Sequence, residues 1–134
     1  MKRHVMGLLV MATLAVGTTA SAHHSFAATY DENKKVTIEG TLVQFLWRNP
    51  HSFVHVVVKD AAAAKKSSEE QQRWAAEWGS GGQLGNQGVA RDTLKVGDHL
   101  VITGDPSRTP GDYRLRVRTI YRPKDEWRWG GEFD

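Results

Sequence analysis

Cysteine is absent from all 134 residues. That removes disulfides, thiolate metal sites and a cysteine nucleophile together. Catalytic signatures are missing as well. The chain contains no G-x-S-x-G and no H-E-x-x-H, and Gly79-Ser80-Gly81-Gly82 lacks the Lys-Ser/Thr that makes a glycine-rich loop a phosphate cradle. On these grounds no enzyme is expected. Nor does the apolar run Val5 to Val16 reach the ~18 residues that a bilayer span needs. Lys2 and Arg3 precede it and Ala20-Ser21-Ala22 follows, the order of a secretory leader cut after Ala22. The expected mature chain therefore starts at His23, in the periplasm or outside the cell, with no membrane span left after cleavage. Strong charge of one sign is also lacking. The net +3 of the whole chain falls to +1 without Lys2 and Arg3, leaving 16 basic residues against 15 acidic ones. A nucleic-acid partner is not expected from that balance.

What the chain does have is β-forming sequence. From Val36 to Asp60, two runs of β-branched and aromatic residues flank Asn49-Pro50-His51. Such side chains suit a pleated, half-buried surface, and Asn-Pro interrupts a strand, so the stretch predicts a long antiparallel hairpin with a histidine just past its bend. In the first run the inward set changes phase, from Val36, Ile38 and Leu42 to Val43, Phe45 and Trp47. With Gly40 nearby, this predicts a bulge that bends one long strand around a small barrel. In the second run Val54, Val56 and Val58 share a face opposite Phe53, His55 and Val57.

Ala61 to Glu70 is expected to be a solvated insertion. Gln71 to Trp78 alternates as a third strand with Trp74, Ala76 and Trp78 on one face. Four glycines then leave room for a turn or two of helix. His99 to Gly104 and Tyr113 to Tyr121 make strands four and five, the last with Tyr113, Leu115, Val117, Thr119 and Tyr121 alternating with arginines. This order predicts an all-β fold: a small five-stranded OB-like Greek-key barrel with a short helix or irregular linker between strands three and four. A small open sandwich would produce a similar string. The expected division is a leader at 1–22, an N-terminal arm at 23–35, the barrel at 36–121 and a tail at 122–134.

Histidine carries the most suggestive chemistry. A chain beginning at His23 has a terminal amine and an imidazole that chelate one ion together, and a second imidazole completes an all-nitrogen set suited to copper(II) or another borderline divalent ion. His24, His51 and His55 are candidates for that second imidazole, and the metal set taken is His23, His24 and His51. The plainer alternative makes His23 and His24 an exported end and His51 a turn residue bonded to a backbone carbonyl. Aromatic residues form the second group. Trp47, Trp74 and Trp78 with Phe45 and Phe53 either fill a small core or make a platform on the barrel face, where OB barrels stack bases or sugars. The candidate ligand-binding set there is Trp47, Asn49, Phe53, His55, Trp74 and Trp78, for a peptide, glycan or envelope protein. Arg114, Arg116, Arg118 and Arg122 are expected to be a solvated face, and Glu77 and Asp98 to be isolated carboxylates.

Several elements recur together in a known family. Ala22-His23-His24-Ser25-Phe26 is followed by Tyr30-Asp31, by Gly40-Thr41-Leu42 running into Trp47-Arg48-Asn49-Pro50-His51, by Trp74 to Glu77, and by Leu94-Lys95-Val96-Gly97-Asp98. In this the chain resembles a family of small exported proteobacterial proteins of unknown function. The resemblance spans His23 to about Tyr121 and implies export and a small β-barrel, with no activity attached.

Overall fold

A computed structural model describes residues 24–58 and 72–130, with the backbone alone described for His24 and Ser25. The expected leader, His23 and the Ala61–Glu70 insertion lie outside the described residues. Among those described, a short helix α1 (His24–Thr29) precedes β1 (Val36–Leu46), β2 (Phe53–Val58), β3 (Gln72–Glu77), helix α2 (Gly81–Asn86), β4 (His99–Pro106), β5 (Arg114–Arg122) and β6 (Trp127–Gly130), with a 3-10 turn at Pro123–Asp125.

β1 pairs antiparallel with both β2 and β4, β2 with β3, and β4 with β5. A parallel pairing of Ala75–Glu77 with Arg114–Arg116 then joins β3 to β5 and closes five strands into a barrel. That connectivity, with α2 between strands three and four, is the OB-type barrel.

The long first strand serves two neighbours because it bends. Its register against β2 shifts between Leu42 and Gln44, so Val43 is the extra residue and the phase changes there. Gly40 lies in phase with Ile38 and Leu42. It is needed for a different reason: a Cβ there would overlap the backbone carbonyl of Val57. Gly104 meets the same constraint against the carbonyl of Arg116.

β5 departs from the simple alternation. Its register against β4 shifts at Thr103/Gly104, which makes Arg118 a bulge. Beyond it Ile120 and Arg122 turn inward and Thr119 is exposed, so Thr119 and Tyr121 do not continue the inward face of Leu115 and Val117. The arginines are not a solvated face either. The side chains of Arg116, Arg118 and Arg122 are only 16, 20 and 11% exposed, drawn down to Glu32, Asp105 and Asp98. β6, within the stretch expected as a tail, pairs Trp129 with Ile120 on β5.

Leu42, Val54, Val56, Leu100, Ile102 and Leu115 fill the barrel, each fully buried. Leu84 of α2 closes one end. α2 is only six residues long and is held by a capping box, in which the Ser80 hydroxyl accepts from the Gln83 amide and the Gln83 side chain accepts from the Ser80 amide.

Candidate functional site

The hairpin turn at 47–52 is tied to the end of β3. The Ser52 amide donates to the Gly79 carbonyl at 2.9 Å, and the Trp78 amide donates to the Ser52 carbonyl at 2.8 Å. Ser52 is fully buried, and its hydroxyl bridges the Arg48 amide and carbonyl at 3.2 and 3.3 Å. These bonds satisfy a turn that would otherwise bury orphan polar groups. They also seat His51, one residue earlier, against Glu77. His51 Nδ1 lies 2.7 Å from Glu77 Oε1. The ring thus binds a carboxylate 26 residues away and not a local carbonyl.

Glu77 has a second partner. The Tyr30 hydroxyl donates to its other oxygen, Oε2. Tyr30 is 1% exposed, and its backbone is fixed by a bridge to Ser107 and by donation to the Phe26 carbonyl. Burial first, then the bond to Glu77 and the charge of that carboxylate, push the phenol well above its ordinary range, so it remains a proton donor.

α1 is docked beside this group. Arg108 holds its C-terminal carbonyls, with Nε on Ala27 O at 2.7 Å and its amide on Thr29 O at 2.9 Å. The Phe26 ring packs on His51 at 4.8 Å between centroids, and the Arg116 guanidinium covers it at 4.3 Å. The start of α1 at His24 is therefore two residues along the chain from a ring in contact with His51.

The other candidates fall elsewhere. Trp78 is 2% exposed and belongs to the core, edge-on to Trp129, while Trp47 and Trp74 pack against it half-buried. The indole nitrogens of Trp74 and Trp78 are buried without a hydrogen-bond partner among the described residues. Asn49 is exposed in the turn. Phe53 and His55 lie together on the outer face of β2, with centroids 6.3 Å apart and Arg48 5.0 Å over the Phe53 ring. Burial, then Arg73 and Arg48, lowers the pKa of His55. So the aromatic residues divide between the core and an outer patch and do not make one platform.

Glu77 and Asp98 are hubs and not isolated groups. Asp98 accepts from Arg122 at 2.8 Å, from Lys124, and from the Lys95 amide at 3.0 Å. The sequence signals for Glu77 were its place at period two in β3, opposite the inward tryptophans, and the Trp74 to Glu77 element; for Tyr30 it was the Tyr30-Asp31 element alone. Among the described residues no three histidine or acidic side chains group as a metal site.

Residues 11–114 match the model of a family of unknown function (DUF6152). No curated protein matches the chain.

Proposed function

We propose, for a chain that belongs to the DUF6152 family of unknown function, that it is an exported binding module whose mature N-terminus captures copper(II) or a similar divalent ion. His23 supplies its amine and imidazole, and His24 or His51 completes a nitrogen set of the kind these ions favour. The observation that carries this is the packing of Phe26 on His51. It sets α1 against His51, which Glu77 holds beside the hairpin turn. The leader pattern supports the free amine at His23.

Copper titration of protein beginning at His23, followed by EPR, tests the proposal. A tetragonal, nitrogen-rich spectrum is expected, and a Met residue added before His23 should remove most of the affinity. Equal affinity with and without that Met rules the chelate out.

A second reading, a metal-free module for an anionic segment of an envelope protein, draws on the outer patch of β2. Among the described residues the hydrogen-bond acceptors of Arg48 and Arg73 there are neutral, the His51 carbonyl and the Gln44 side chain. Their positive charge flanks Phe53 and His55. Phe53→Ala with Arg73→Ala should abolish capture of such a partner without unfolding the barrel; unchanged capture sinks this alternative.

A further inference from the structure

We propose that Glu77 is a positioning residue that fixes the tautomer of His51, accepting a hydrogen bond from Nδ1–H so that Nε2 is the nitrogen offered to a borderline divalent cation. The cation clause rests on the metal reading above; the hold on the ring does not.

An ionised carboxylate only accepts hydrogen bonds, so both groups that face Glu77 must donate to it. One is the Tyr30 hydroxyl on Oε2. The other is His51 Nδ1, 2.7 Å from Oε1. With the proton on Nδ1, a neutral imidazole has its lone pair on Nε2, which has no hydrogen-bond partner among the described residues. Exposure follows the same direction: the Glu77 side chain is 12% exposed and that of His51 is 31%. The carboxylate is the covered member and the ring the one that reaches solvent.

The arrangement is also rigid. Glu77 ends β3, paired with Phe53 on one side and with Arg116 on the other. Ser52, the residue next to His51, donates its amide to the Gly79 carbonyl, and the Phe26 ring packs on the His51 ring. A histidine whose second nitrogen donates to a carboxylate, itself hydrogen-bonded, is the outer-shell pattern that orients imidazole ligands and raises their basicity.

Nitrogen-15 NMR of the metal-free protein beginning at His23 reads the tautomer directly. His51 should be protonated at Nδ1 in the wild type. In Glu77→Leu it should move to the Nε2–H form that an unconstrained imidazole prefers, and Tyr30→Phe should leave it at Nδ1. Copper titration of the same proteins is the second arm, with a roughly 10- to 100-fold weaker affinity expected for Glu77→Leu and at least as large a loss for His51→Ala. A wild-type ring protonated at Nε2 overturns the inference, a result that does not depend on any variant folding. It is also overturned if Glu77→Leu keeps wild-type affinity while His51→Ala loses it. A wild-type protein with an Nδ1–H ring that takes up no copper supports the hold of Glu77 on the ring, and overturns the cation clause together with the metal reading.

Discussion

Asp98 shows what one buried carboxylate does for this barrel. It is 4% exposed, and burial alone would raise its pKa. Bonds from Lys124, from the Lys95 amide and from Arg122 outweigh that and hold it at about 2. A carboxyl lowered on folding adds stability that is complete above its unfolded value near ~3.9 and is lost as pH falls through the folded value. The window is therefore about pH 4 down to about pH 2. Because Lys124 is exposed, the contribution is discounted to on the order of 1–2 kcal/mol. Urea unfolding across that window should show a flatter pH dependence for Asp98→Asn than for the wild type by that amount. Gly104 makes a second residue-scale prediction. A methyl there meets the Arg116 carbonyl inside a strand pair that cannot spread. Gly104→Ala should cost about 1–3 kcal/mol or more in a thermal melt.

At the scale of elements, the short strand β6 contributes far more than its four residues suggest. Trp129 is 6% exposed and meets Trp78 edge-on at 4.9 Å between centroids, with its Nε1 donating to Gln87 at 2.9 Å. One side chain thus joins β6 to the core and to the end of α2. Trp129→Ala should destabilise by about 3–5 kcal/mol, read from the urea midpoint at unchanged slope. Two alternating aromatics are too few to make a period, so this strand was not legible in the sequence. The inward set of β5 was misread for a related reason. Arg-x-Arg alternation runs on smoothly through Arg118, and only the pairing with β4 reveals the bulge that turns Ile120 and Arg122 inward.

For the whole molecule, α1 and the hairpin turn meet at the closing seam, where β3 pairs in parallel with β5. A cation held between the N-terminus and His51 would bind this closed state more tightly than the unfolded chain, which keeps only the His23 and His24 donors together. Binding of that kind stabilises by at most about 2.7 kcal/mol at a free concentration 100 times Kd, less whatever the unfolded chain's own histidines bind. Copper should therefore raise the melting temperature of protein beginning at His23 and leave the Met-extended form unmoved. An equal shift in both places the ion elsewhere.

Local pattern alone determined the strands β1 to β4, the bulge in β1, the turn at Asn49-Pro50 and the barrel class, because alternation and turn chemistry act over a few residues. Tertiary structure decided the site. Glu77 meets His51 across 26 residues and Tyr30 across 47, and no periodicity encodes a contact at such separations. Which tryptophans fill the core and which ring faces solvent was settled the same way, by closure of the sheet. Burial depends on what packs opposite a residue, and that is a property of the folded whole.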